Sequence, residues 1–423
     1  MSAVARILTV SSAPIAGDDH TGRLVARALL AENVEVASRQ VVDEVEGALE
    51  PALAAALEGA GLVVILAPPG GSSGDIVRRT VARLMGVRLA LNDKLLAVLE
   101  KDFAAREQAM PHRLDRLALL PRGAELWMAP TGEPGWSVEV REASVVVLPV
   151  ASAHLTTLVM ERLRPLARQR LGGPGGGVLR TLLTTGLSPA DAEDRLGAWL
   201  GKPGPVSVSV VVVDGDVWVR LHARGASRSA ALADLEPIES AVRSALGADC
   251  YGSDEDTLEV VIGRLLAERG LSVAVAESCT GGLLGHRLTS VAGSSRYFER
   301  GVIVYSNKAK EEMLGVPESL LVAHGAVSAP VAEAMAAGIC RISGSPCGLA
   351  VTGIAGPDGG TPTKPVGTVF IAAAWPLGSR VRHFRFAGGR EAVKWQSAQS
   401  ALDMLRRGLL DSPKAPASAA TGP

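Results

Sequence analysis

Aromatic side chains are scarce in this chain of 423 residues, at 3%, with six Trp, three Tyr and five Phe. Single-stranded nucleic acid is bound on stacking rings, so direct nucleic-acid binding is not expected. Excess charge is missing as well: 43 Lys and Arg against 44 Asp and Glu leave −1, and no overall field draws a polyanion or an anionic membrane. Cysteine is sparse, and the four present (Cys250, Cys279, Cys340, Cys347) show no C-x-x-C spacing. A chain of this length can be stable without disulfides, so reduced thiols in a cytoplasmic protein are expected. No apolar stretch approaches the ~20 residues that span a bilayer. The N-terminal MSAVARILTVSSAP has an apolar run of four, too short for the core of a signal peptide. The expectation is a cytoplasmic protein without a membrane partner.

What is abundant is small and aliphatic: 47% of residues are hydrophobic, 21% are charged, and 47 are glycine. Such a length predicts two to three domains. ARILTV (5–10) and GLVVILA (61–67) read as buried strands, with the helical pattern TGRLVARALLAENVEV between them. Strand, helix, strand predicts a parallel sheet covered by helices. A second block runs through DIVRRTVARLMG to the strand-like SVVVLPV (144–150) and a helix from Ala153 to Gln169. LGGPGGG (171–177) punctuates the chain, so a first domain is assigned to 1–171. Residues 178–248 form a compact α+β module: a helix near 188–200, a hairpin turned at Asp214-Gly215, and a helix near 228–246. The third region, 250–410, alternates again. Its last helix puts Trp395, Ala398, Leu402, Leu405 and Leu409 on one core-facing stripe. The Pro/Ala/Ser-rich 411–423 reads as a disordered tail.

The chemistry gathers in the third region. AESCTGG ends a strand on Ser278, Cys279 and Thr280, and Gly281 and Gly282 then lead into a helix. Ordinary capping by Ser or Thr is one reading. The other is a nucleophile beside free helix N–H groups that receive an oxyanion, as acyl transfer requires. GVIVYSNKAKEEMLGV (301–316) follows strand with Tyr305, Ser306 and Asn307 and sets Lys308 and Lys310 in a helix's first turn, where the dipole disfavours cations. Either they are solvated, or a lysine of lowered pKa serves the serine. HGAVSAPV (324–331) offers Ser328 as a cap and His324 as a weak candidate catalyst. LAVTGIAGPDGGTPTKPVGTVFIA (349–372) brackets a Gly/Pro loop with Thr352 and Asp358, near neither a P-loop nor a dinucleotide fingerprint.

In this order, AESCTGG, AGSSRYFERGVIVYSN, HGAVS and TGIAGPDGG…KPVGTVFIA resemble the C-terminal domain of the competence/damage-inducible CinA family, over most of 255–408. The whole chain is similar to full-length members: a molybdopterin-binding-type α/β domain, a KH-like α+β module and the CinA-type α/β domain. The resemblance implies a nicotinamide-nucleotide amidase that hydrolyses nicotinamide mononucleotide to nicotinate mononucleotide and ammonia in pyridine-nucleotide salvage, without a cofactor. It makes Ser278 the nucleophile rather than the rival Cys279, with Tyr305 and Lys310 activating it. It assigns substrate binding to Cys279, Thr280, Gly281, Gly282, Asn307, Ser328, Thr352, Gly353, Ile354, Ala355, Gly356 and Arg390, and no metal. One departure stands out: Gly388-Gly389-Arg390 replaces the family's Gly-Asp-Arg.

The middle module lacks a GXXG loop that would clamp RNA, so it reads as a spacer or a dimer-forming element, and a homodimer is expected. In the first domain, SSAPIAGDDH and APPGGSSGDIVR stand where relatives carry Gly-Asp-Glu-Leu and a Thr-Gly-Gly-x-Gly-Pro-Thr-x-Asp-Asp run. TGEPGW and LPVASAH replace two further loops. Intact relatives are associated with ADP-ribose pyrophosphatase activity on a divalent metal, which carboxylates must hold. Loss of that activity is expected here, with Gly71 retained and Asp18, Asp19 and Asp75 as the candidates for a remaining site. Two alternatives stay open: a non-catalytic nucleotide-binding or scaffold protein of competence and damage responses, and a pyrophosphatase that still uses its metal.

Overall fold

The computed structural model describes residues 4–411 apart from 13–18, 33, 69–70, 106, 112–113, 129–133, 151–153, 172–175 and 214. Asp18, Asp214, most of LGGPGGG and the tail beyond Asp411 therefore lie outside the described residues. The chain divides into two compact units, 1–179 with 222–237, and 180–221 with 238–423.

The N-terminal unit is built on a six-stranded sheet ordered Val36–Asp43, Val4–Ser11, Ala60–Ala67, Ala143–Pro149, Gly135–Val140 and Glu125–Trp127. The first four strands run parallel, and the last two are added by antiparallel pairings. Ala60–Ala67 is buried at every position, which its continuous apolar run requires in a sheet covered on both faces. Its odd residues Val63 and Ile65 pack under helices Glu46–Leu57 and Gly71–Met85. Its even residues Leu62, Val64 and Leu66 pack under His20–Leu30 and the helical stretch from Leu155.

The middle module forms a sheet ordered Val206–Val213, Asp216–Gly225, Gly176–Thr184, Cys250–Ser253, with helices Pro189–Leu196 and Arg228–Leu246. Gly215 takes the positive φ (89°) that the hairpin turn needs.

In the C-terminal domain the sheet order is Phe298–Ile303, Val273–Glu277, Cys347–Gly353, Thr368–Trp375, Gly378–Arg385; the first three strands are parallel. Val273 and Val275 point to helices Leu258–Arg269 and Arg390–Asp411, whereas Ala274 and Ala276 point to Ala329–Ser343. The parallel strands end side by side at Glu277, Ile303 and Gly353, and the crevice beyond strand ends is where open α/β sheets place their sites. Among the described residues no helix is long and apolar enough to cross a membrane.

The last helix departs from the expected stripe. Ala398, Leu402, Leu405 and Leu409 are fully buried, but Trp395 is half exposed and lies over the Arg287 guanidinium. A second, polar stripe of Gln399, Asp403 and Arg406 is buried too, because it faces the middle module. There Asp216 is pushed up to about 6 by burial, against the lowering effect of hydrogen bonds from Thr185 and Gln399. Its folded-state value lies above the ordinary one, so its contribution to stability is complete below about pH 3.8 and is lost as pH rises through about 6. The difference corresponds to about 3 kcal/mol. Denaturant unfolding at pH 4.5 and 7.5 is expected to show Asp216→Asn gaining stability on the wild type as pH rises; a constant difference would contradict this.

Candidate active site at the Ser278 turn

Val273–Glu277 delivers the chain into the turn Ser278–Gly282, where Gly281 and Gly282 adopt φ of 60° and 97°. A side chain is strained in that left-handed region, so the double glycine is a backbone requirement. The Ser278 N–H bonds Val351 O at 3.0 Å, and the Val304 N–H bonds Glu277 O at 2.8 Å, tying the turn to both neighbouring strands.

Neither Ser278 nor Thr280 caps the helix Leu283–Thr289 that follows; its cap residue is Gly282. The cap is the Glu277 carboxylate, 1% exposed, which accepts from the N–H groups of Gly282 (3.0 Å), Leu284 (3.0 Å) and Gly285 (2.7 Å). Gly281 N–H bonds Ser278 O, and Leu283 N–H bonds Thr280 O. The expected free helix N–H groups for an oxyanion are therefore occupied, because a buried carboxylate already satisfies them.

Ser306 caps the next helix, Asn307–Leu314, accepting from Ala309 N–H at 3.1 Å. The helix turns Lys310 inward to 1% exposure. Its Nζ lies 2.8 Å from Val304 O, 3.3 Å from Tyr305 O and 3.3 Å from Ser278 Oγ. Burial holds the Lys310 amine below the ordinary lysine range, and no ion pair to it is found among the described residues. Lys308 is exposed and meets Glu312 at 3.6 Å, as a solvated lysine does.

The other assigned residues divide by what they touch. The Tyr305 hydroxyl lies on Arg390 Nη2 (3.2 Å), and no bond joins it to Ser278; Arg390 Nη1 also donates to Gly356 O at 2.8 Å. Asn307 is exposed at the start of its helix. Cys279 turns into the core, 5% exposed, and burial pushes its thiol up to about 12, so it is a poor rival nucleophile. Thr280 is fully buried, and its Oγ1 has no hydrogen-bond partner among the described residues. Ser328 occupies a cap position, but its hydroxyl turns back to Gly325 O at 2.8 Å. Thr352 Oγ1 donates to Ala326 O at 2.8 Å, and Ile354 N–H donates to Thr368 O at 2.9 Å, so these donors serve the scaffold. Gly353 is required for packing: a Cβ there would come within 3.0 Å of Val369, Thr368 O and Cys279 Sγ. Ala355 and Gly356 are buried beside it. His324 is exposed at its helix end, and its carbonyl accepts from Lys364. Lys364, passed over in the sequence, clamps the Gly/Pro loop to His324 O (2.9 Å) and Val327 O (2.7 Å).

Comparison with known proteins follows the same division. Residues 255–409 match the CinA C-terminal domain, 179–252 the damage-inducible protein CinA KH domain, and 6–169 a model described as "Probable molybdopterin binding domain". A CinA-like protein of Geobacter sulfurreducens is 39% identical over 396 residues, covering 93% of this chain and 95% of the relative. The CinA-like protein of Gloeobacter violaceus is 38% identical over 375 residues, 88% of each. The chain belongs to the CinA family. A solved structure, competence/damage inducible protein CihA from Agrobacterium tumefaciens, is 41% identical and covers 36% of this chain and 94% of that one, with a TM-score of 0.36. This CinA-family chain is mixed α/β throughout, with a molybdopterin-binding-type first domain and a KH-like module.

That first domain has a cavity of about 230 Å³ at its parallel strand ends, lined by Thr9, Ser11, Ser12, Thr21, Asp19 and Glu44 among others. Asp19 is engaged by Thr9 Oγ1 and Gly22 N–H (both 2.9 Å) and by Arg39, while Asp75 pairs with Arg78 and Arg116. Among the described residues no three His, Cys, Asp or Glu gather to hold a metal ion. Asp19 thus serves a helix cap and Asp75 an ion pair.

The Gly389 departure has a physical reading. Gly389 O accepts from Val393 N–H at 3.0 Å, which makes it the cap residue of Arg390–Asp411, and a Cβ there would meet nothing within 4 Å. An aspartate would therefore cap this helix. Gly389→Asp is expected to raise unfolding free energy by about 0.5 kcal/mol in urea titration; a loss of stability would contradict the assignment.

Proposed function

We propose that the C-terminal domain is a serine amidase that hydrolyses nicotinamide mononucleotide to nicotinate mononucleotide and ammonia, requiring no cofactor. The observation that carries the reading is the pairing of Ser278 Oγ with a buried amine 3.3 Å away. When Lys310 is neutral, its two N–H bonds donate to Val304 O and Tyr305 O, and its lone pair is left for the Ser278 proton. Lys310 takes that proton as Oγ bonds to the carboxamide carbon, then returns it to the nitrogen as the C–N bond breaks and ammonia leaves. Water attacks the resulting ester with Lys310 again as base, freeing Ser278 and the nicotinate product. Arg390, held at the open side by Gly356 O and Tyr305, suits the nucleotide phosphate.

Ammonia released from nicotinamide mononucleotide, with and without EDTA, tests the reading. Release in both conditions is expected, with Ser278→Ala reducing it ~10³-fold or more while nucleotide still binds. Absence of release from the wild type would contradict it. The neutral amine grows as pH rises, so kcat is expected to climb with pH along a limb below the ordinary lysine range and to lose that limb in Lys310→Ala. An unchanged profile would remove Lys310 as the base.

A further inference from the structure

Arg287 belongs to Leu283–Thr289, the helix that leaves the Ser278 turn, and its guanidinium is 5% exposed. It lies 4.4 Å over the Trp395 ring, and Nη2 donates to Glu259 Oε2 and Gln399 Oε1, both at 2.7 Å. Among the described residues Nε and Nη1 have no hydrogen-bond partner. A buried cation with two orphaned donors depends heavily on the few bonds it has.

Gln399, 7% exposed, carries its other end to the middle module, where Nε2 donates to Asp216 Oδ2 at 2.6 Å. Its orientation is not arbitrary: Arg287 can only donate and an ionised Asp216 can only accept, so flipping the amide would break both bonds. The module end is fixed independently. Arg406 Nη2 donates to Ala248 O, and Arg407 Nη2 donates to Asp249 Oδ1 (2.7 Å) and Thr185 O (3.3 Å). The active-site end is short: Leu283–Thr289 has seven residues, and Glu277 holds the N–H groups at its start. A displacement of Arg287 is therefore felt within two turns at Glu277 and Ser278.

We infer that the middle module positions the Ser278 turn through the hydrogen-bonded chain Asp216, Gln399, Arg287, which makes the KH-like module a working part of the catalytic unit instead of a spacer. Gln399 is the positioning residue at its centre. The inference rests on the amidase reading for its kinetic consequence, and its structural consequence can be read without any substrate.

The test exchanges the two partners. Gln399→Glu keeps an acceptor for Arg287 but sets a carboxylate against Asp216. Adding Asp216→Asn restores a donor facing an acceptor at unchanged net charge. In the full-length protein, amide hydrogen exchange at Gly282, Leu284 and Gly285 is expected to rise about 10-fold in Gln399→Glu and to return to within about twofold in the double variant. The kcat for ammonia release from nicotinamide mononucleotide is expected to fall and recover in parallel, with KM little changed. Exchange that stays at the wild-type rate in Gln399→Glu, or that the folded double variant fails to restore, overturns the inference. If the wild type releases no ammonia, the amidase reading fails while the exchange still decides the coupling. Should Gln399→Glu not fold, Asp216→Ala, altered only in the module, is expected to raise the same exchange, and unchanged exchange there also overturns it.

Discussion

A lysine head group withdrawn from water and surrounded by neutral oxygens is the constraint around which the C-terminal domain is arranged. Burying an ammonium costs several kcal/mol unless a counter-charge offsets it. At Lys310 the partners are two carbonyls and the Ser278 hydroxyl, so burial shifts the balance toward the amine and holds its pKa below the ordinary lysine range. Reaching that geometry requires a strand that stops at Ile303, a Ser306 cap that starts a helix at once, and a first turn that carries Lys310 back under the sheet. The dipole objection to a cation in a first turn favours the same neutral state.

The nearest carboxylate is kept from quenching this arrangement. Glu277 precedes Ser278 directly, but its oxygens are taken up by three backbone N–H groups. Glu277 thus shapes the turn, while Lys310 keeps its contact with the Ser278 hydroxyl. Around them, Thr352, Ser328 and Lys364 bind loop carbonyls, so the rim is braced by side chains whose types alone suggest ligand contacts.

The fold was largely legible because its signals are local. Continuous apolar strands and the glycine of the hairpin turn act over a few positions, and Ser278 after a strand and Lys310 in a helix's first turn stood out as reactive groups. Contacts distant in sequence were not legible. Glu277 read as one polar residue among many, although a carboxylate directly before a glycine pair and a helix was an available signal. Gln399, Asp403 and Arg406 lie off the apolar stripe, and nothing local marks a polar residue for burial under a second module. Cys279 follows Ser278 directly and Tyr305 follows the neighbouring strand, yet past the strand ends the thiol turns into the core and the tyrosine hydroxyl meets Arg390.

The N-terminal domain keeps the doubly covered sheet, with Asp19 capping a helix and Asp75 held in ion pairs. The whole account depends on the protonation state of one side chain. Nitrogen NMR of the full-length protein labelled on lysine Nζ, with Lys310→Arg to assign the signal, measures it directly. The account predicts a Lys310 amine that titrates below every other lysine in the chain; a Lys310 signal that titrates with the surface lysines would contradict it.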